Sequence, residues 1–135
     1  MTKNRNKKIG NGFEAEFCQI LFDKGFWAHN MAQKANGQPA DVIAAKDGTS
    51  YLIDCKVCSD GVFDISRMEK NQHSSMELWE MCGNGTGWFA ILIEGEIFMV
   101  SHKALVYTGG YKHSLRKSDI DAIGSPLERW VELRI

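Results

Sequence analysis

The chain has 135 residues, enough for one domain around one core, with 44% apolar and 24% charged residues. That balance is ordinary for a globular protein, and no repeat or low-complexity tract is visible. The formal net charge of −1 does not advertise a nucleic-acid binder, and no stretch approaches the roughly 20 apolar residues that span a bilayer.

Met1 to Lys8 is polar and basic and leads into no long apolar run, so it does not read as a secretory signal. A cytoplasmic protein with no membrane partner is expected. Residues 1–10 form a basic arm carrying Lys3, Arg5, Lys7 and Lys8. The spacing then predicts a helix over Asn11 to Lys24, with Phe13, Phe17, Ile20 and Leu21 on one face. Asn11 and Glu14 have the spacing of a capping box, and Gly25 ends the helix.

Three strand-like segments follow, Phe26 to Gln33, Asp41 to Ala45 and Tyr51 to Val57. Lys46-Asp47-Gly48-Thr49 between the last two reads as a hairpin turn. A second helix is predicted over Ser66 to Cys82, opened by a capping box of Ser66 and Glu69. Gly83, Gly85 and Gly87 break the chain before two apolar strands, Trp88 to Ile93 and Ile97 to Val100, around Glu94-Gly95-Glu96. In the tail, Ser118 to Ile123 reads as a short helix and Trp130 to Ile135 as a final strand. The order of helix, three strands, helix, two strands predicts an α/β (α+β) sandwich with a mixed sheet. No glycine-rich phosphate loop follows a strand, which argues against a doubly wound nucleotide-binding fold.

Charge distribution matters more than its sum. His102, Lys103, Lys112, His113, Arg116 and Lys117 form a second basic stretch, with Tyr107 and Tyr111 among them. It reads either as a solvated surface or as a contact for phosphates. The four cysteines, Cys18, Cys55, Cys58 and Cys82, are expected to be reduced. The CxxC spacing of Cys55 and Cys58 admits a zinc site, but the other two stand apart in helical patterns, so small buried side chains are the default. His29, His73, His102 and His113 suggest no site by spacing, and His73 is expected at the surface.

The segment Tyr51 to Val57 is the most informative. Side chains alternate across a strand, so Asp54 and Lys56 share one face with Leu52, while Tyr51, Ile53, Cys55 and Val57 share the other. A carboxylate and an ammonium on a central strand are costly to desolvate unless paired or bound to a metal. A structural ion pair and a chemical site are both open readings. Asp41 opens the preceding strand, and a hairpin lays it beside Asp54. Two carboxylates so close repel unless a cation sits between them, and magnesium needs only one or two carboxylates plus water and phosphate. Glu14 lies on the rim of the first helix's apolar stripe, either capping with Asn11 or facing the sheet. Gln72 falls on the inward face of the second helix with Met68, Ser75, Met76 and Trp79, where a polar amide needs partners.

Pro39-Ala40-Asp41 followed by Asp54-Cys55-Lys56 resembles the PD-(D/E)XK nuclease signature. With Gly12-Phe13-Glu14 on a first helix and Gln72 on the helix after the DxK strand, the set is similar to Holliday junction resolvases of the RecU and archaeal Hjc type, a pattern shared by small phage nucleases. The resemblance covers roughly Asn11 to Val100. One residue separates Pro39 from Asp41, where the family pattern has them adjacent.

The resemblance implies a restriction-endonuclease-like core and a magnesium-dependent endodeoxyribonuclease, with manganese as a substitute metal. Asp41, Asp54 and the backbone carbonyl of Cys55 are the expected metal ligands, with Glu14 ligating through water or holding a second ion. Lys56 is expected to orient the attacking water, Gln72 to hold Lys56 or a ligand, and the products to carry a 5′-phosphate and a 3′-hydroxyl. Symmetric cleavage of a junction implies a homodimer, for which the apolar strands between Trp88 and Val100 are one candidate surface and equally a candidate core. Lys3, Arg5, Lys7, Lys8, Lys112, Arg116 and Lys117 are the expected DNA contacts. The open alternatives are an endonuclease for duplex, flap or single-stranded DNA, a DNA-binding module without catalysis on this fold, and a zinc-stabilised interaction domain.

Overall fold

The computed structural model describes residues 2–31 and 40–134, with side chains from residue 12 onward. The elements in order are α1 (Thr2–Asp23), β1 (Trp27–Asn30), β2 (Val42–Lys46), β3 (Thr49–Cys58), β4 (Val62–Asp64), a 3-10 turn (Ile65–Arg67), α2 (Lys70–Trp79), a π-turn (Glu80–Asn84), β5 (Trp88–Ile93), β6 (Glu96–Ser101), α3 (His102–Gly109), β7 (Ser114–Arg116), α4 (Lys117–Ile123), β8 (Ser125–Pro126) and α5 (Leu127–Glu132).

Helix α1 begins nine residues before the expected start at Asn11. Asn11 is therefore interior, and the capping box with Glu14 does not open the helix. The basic arm continues the helix, while the side chains of Lys3, Arg5, Lys7 and Lys8, and Pro39, lie outside the described residues. Gly25, at φ +90°, ends α1. Its N–H reaches Phe22 O at 3.0 Å and that of Phe26 reaches Leu21 O at 2.9 Å, the paired bonds of a Schellman motif.

The main sheet has the order β1-β2-β3-β5-β6-β8. All its pairings are antiparallel except that of β3 with β5, so the sheet is mixed as expected. Both hairpin turns follow from sequence. Lys46 pairs with Thr49 around Asp47-Gly48, and Ile93 with Glu96 around Glu94-Gly95. All four turn residues have positive φ, the type I′ conformation that matches strand twist. A second sheet, β4 with β7, was not expected because each strand is only three residues long.

The main sheet divides two cores. On one side α1 and α5 pack Phe13, Phe17, Leu21, Leu127 and Trp130 against Ile53, Cys55 and Val57 of β3. On the other, α2, α3, α4 and the small sheet pack Met76, Leu105, Ile120 and Phe63 against Leu52, Phe89 and Ile91. Each fully buried aliphatic or phenyl side chain contributes about 1.5–3 kcal/mol. The alternation along β3 therefore has the expected period, with successive side chains serving opposite cores. The apolar residues of β5 and β6 are spent on these cores, so that surface is not a free dimer face.

Trp130 to Ile135 was expected as a strand, whereas α5 is a helix. Leu127, Trp130 and Val131 are buried at helical spacing, and Trp130 stacks on Phe26 at 5.7 Å between ring centres. The Arg134 guanidinium lies 4.1 Å over the Trp130 ring and closes this aromatic cluster.

Candidate active site

The site forms where β2 begins and β3 runs on past it, paired with β5 on its other edge. Asp41 immediately precedes β2, and its N–H donates to Ile53 O at 3.1 Å. Beyond that bond, among the described residues, no strand lines this edge of β3, and the Asp41 side chain takes over: Cys55 N–H donates to Asp41 Oδ2 at 2.9 Å. Asp54 and Lys56 project from the opposite face to Cys55. Asp54 is 0% exposed and Lys56 is buried, with its Nζ 3.1 Å from Asp54 Oδ2.

Gln72 reaches the pair from α2. Its Nε2 donates to Asp54 Oδ1 at 3.0 Å, and its Oε1 accepts from Glu69 N–H at 3.1 Å. The helix thus starts at Glu69 and Gln72 rather than at the expected capping box of Ser66 and Glu69. Ser66 lies in the preceding 3-10 turn, where Asp64 Oδ1 accepts from its N–H at 2.9 Å.

Burial pushes the Asp54 carboxyl well above the usual carboxylate range. The Lys56 charge opposes this, and the neighbouring Asp41 raises it further. Although Lys56 is close, Asp54 Oδ2 receives no aligned hydrogen bond. That oxygen therefore has the Lys56 ammonium at 3.1 Å and no further donor in a buried setting. A buried carboxylate short of donors, beside a second, partly exposed one, fits a hard cation.

Glu14 is buried on α1. Its charge acts on Cys18 and Cys55, whose thiols burial holds above their ordinary value, with Asp41 and Asp54 adding to the effect at Cys55. Glu14 thus lies on the face of the sheet that carries Cys55. Among the described residues no three His, Cys, Asp or Glu side chains converge as a metal cluster. Cys55 and Cys58 point into opposite cores, so their CxxC spacing does not make a zinc clamp.

The second basic stretch is less free than its composition suggests. Lys112 pairs with Asp119 at 3.0 Å and Lys117 with Glu96 at 2.7 Å, while Arg116 remains exposed and donates its N–H to Asp119 Oδ2 at 2.9 Å. His102 is only 3% exposed and belongs to the interior. Its Nε2 lies 2.8 Å from His73 Nδ1, so His73 is half-buried in a pair rather than a lone surface residue. Twenty-nine positions separate them, and no spacing signal brings them together. Arg67 was also missed. Its Nη1 donates to Val57 O at 2.6 Å, two residues along β3 from Cys55.

Among the described residues no helix is long and apolar enough to cross a membrane. No curated protein sequence matches the chain. Among 26 solved chains that match is the 1.6 Å structure of Hjc from Archaeoglobus fulgidus, a Holliday junction resolvase from an archaeal hyperthermophile. The two share 16% identity and a TM-score of 0.70, over 90% of this chain and 99% of that one, which is a likeness of fold. The family model described as archaeal Holliday junction resolvase (Hjc) matches residues 5–134. That match runs through the tail as well as the signature, and so the chain belongs to the archaeal Holliday junction resolvase (Hjc) family and is a resolvase-like nuclease, of a family that is metal-dependent and acts on DNA.

Proposed function

We propose that residues 1–135 act as one cytoplasmic nuclease domain that hydrolyses phosphodiester bonds of four-way DNA junctions, with Asp41, Asp54 and the Cys55 carbonyl holding magnesium. The observation that supports this most is the buried Asp54, raised by burial and beside Asp41, whose Oδ2 has only the Lys56 ammonium near it. In a strand the N–H and C=O of one residue point to the same edge. Cys55 gives its N–H to Asp41, so its carbonyl faces the same side as the Asp41 carboxylate. Two carboxylates, a carbonyl, water and a substrate phosphate suit magnesium, and manganese substitutes with similar oxygen ligands. Bound there, the metal supplies Lewis-acid polarisation of the phosphoryl oxygen and a more acidic water.

Lys56 orients the attacking water and stabilises charge developing on the phosphate, from a position fixed by burial and by Asp54. Gln72 fixes the Asp54 carboxylate and so sets where its other oxygen points. Glu14 assists through water or holds a second ion. The products carry a 5′-phosphate and a 3′-hydroxyl.

Lys3, Arg5, Lys7, Lys8, Lys112, Arg116 and Lys117 meet the DNA backbone. Solvent screens exposed pairs such as Lys112–Asp119 and Lys117–Glu96, so phosphates compete for these cations. Two symmetric cuts need two sites, which a two-fold homodimer supplies.

The test is cleavage of a labelled four-way junction and a matched linear duplex, with magnesium or with EDTA, by wild type and by Asp54→Ala. Junction-selective, magnesium-dependent cleavage lost in the variant is expected. Equal cleavage of both substrates would move the function to a general endonuclease for duplex, flap or single-stranded DNA. Binding without cleavage would leave a DNA-binding module.

A further inference from the structure

Arg67 ends the 3-10 turn between β4 and α2. Its Nη1 donates to Val57 O at 2.6 Å and lies 3.4 Å from Cys58 Sγ, and the guanidinium stands 6.0 Å from the centre of the Phe63 ring. Cys55 gives its N–H to Asp41, and Val57, two residues on, gives its carbonyl to Arg67. Alternate residues of a strand present their peptide groups to one edge, so Asp41 and Arg67 occupy the same edge of β3. They attach about 6.6 Å apart along the strand. The other edge of this stretch is filled by β5.

Arg67, like Arg134, is a partly buried guanidinium that donates to a backbone carbonyl. Lys56, Lys103, Lys112 and Lys117 are each paired with a carboxylate. Among the described residues Arg67 makes no ion pair, yet it is partly buried and held in place. A guanidinium has five donors, and Val57 O engages Nη1 alone, so further donors remain for an anion. The carboxylates Asp41 and Asp54 repel a DNA strand, and a fixed cation further along the same edge of β3 offsets that repulsion.

We infer that Arg67 binds a phosphate of the cleaved strand adjacent to the one that reacts. This rests on the nuclease reading above. The planar fork of arginine suits two oxygens of one phosphate, and the carbonyl and the Phe63 ring fix its orientation. The competing role is a staple that only holds the turn against β3, and it changes stability without changing the number of phosphates contacted.

The experiment measures binding of the full chain to a four-way junction in EDTA, by anisotropy across a salt series. Methylphosphonates neutralise phosphates near the branch one at a time. Arg67→Gln is expected to weaken binding about tenfold and to reduce the salt slope by about one. Arg67→Lys should recover part of that slope. One neutralised phosphate should cost wild type about the same tenfold and cost Arg67→Gln nothing further. An unchanged salt slope in Arg67→Gln overturns the inference. So does a wild type indifferent to every neutralised phosphate, a result readable even if the variant folds poorly. Parallel cleavage in magnesium reports on the nuclease reading itself: tight binding by wild type without cleavage refutes that reading and not the phosphate contact.

Discussion

Gln72 donates to Asp54 Oδ1 at 3.0 Å while accepting from the Glu69 N–H at 3.1 Å, so one amide both opens helix α2 and aims a carboxylate. The carboxylate it aims is fully buried, and the amide itself is only 9% exposed. Gln72→Ala should leave a donor and an acceptor unpaired and cost about 1–3 kcal/mol of stability. Metal affinity or cleavage should fall about 10- to 100-fold. Urea titration and single-turnover kinetics on the same preparation check both.

Lys56→Ala should reduce cleavage by about 100- to 1000-fold while junction affinity stays within about threefold. The reason is position: Lys56 is buried against Asp54, unlike the exposed cations proposed to meet the backbone. Anisotropy and single-turnover cleavage separate the two effects. Joint loss of binding and cleavage would contradict the division of roles.

Magnesium should stabilise the folded chain in the absence of DNA. At 100 times the dissociation constant, the gain is about 2.7 kcal/mol. Asp41→Asn should abolish that gain, because the variant removes one of two carboxylates without disturbing β2. Thermal melts with magnesium or EDTA measure it, and an undiminished shift in the variant would place the ion elsewhere.

The His73–His102 pair predicts a pH dependence. One proton fits between His73 Nδ1 and His102 Nε2, and His73 Nε2 lies 3.4 Å from Glu77 Oε1. Burial and the His73 charge lower the His102 pKa below its ordinary 6.5, while Glu77 and Glu80 oppose the shift. The unfolded chain therefore takes up a proton that the native state refuses. Stability is full above about pH 6.5 and falls as pH drops through the window below it. His102→Gln should flatten that fall, as measured by urea unfolding at several pH values.

Gly124→Ala tests the packing of β8. A Cβ there would lie 2.6 Å from Met99 O and 2.7 Å from Val100 Cγ2. Backbone cannot yield as a side chain can, so a loss of about 1–3 kcal/mol is expected. Cleavage well below the melting temperature should persist, because β8 sits at the far edge of the sheet from β2.

The parts of this fold legible in sequence were those with strong local signals. Asp47-Gly48 and Glu94-Gly95 announce two hairpins, and the period of two along β3 sorts its side chains between two cores. The first ten residues carry no apolar stripe, so nothing local marked α1 as starting at Thr2. The tail was misread because six residues are too few to separate a period of two from one of 3.6. Leu127 and Trp130 settle it only by packing on the α1 side of the sheet.

The site divides in the same way. Asp41, Asp54, Lys56 and Gln72 were proposed from strand alternation, helix facing and resemblance, and the chain folds them into contact. Arg67 gave no sign, because its importance lies in which edge of β3 it reaches. The pairing of Lys112 and Lys117 with Asp119 and Glu96 is likewise tertiary.

The parallel pairing of β3 with β5 has a consequence for synthesis. A hairpin such as β2–β3 closes in microseconds from local contacts, whereas the parallel pair waits for the whole of α2 and the π-turn to be made. A nascent chain that has just emerged through Cys58 holds Asp41, Asp54 and Lys56 but neither Gln72 nor the strand that covers the far edge of β3. The carboxylates are then solvated and unaimed. The bond from Gln72 to Asp54 and the pairing of β3 with β5 are therefore complete only once translation has passed Ile93.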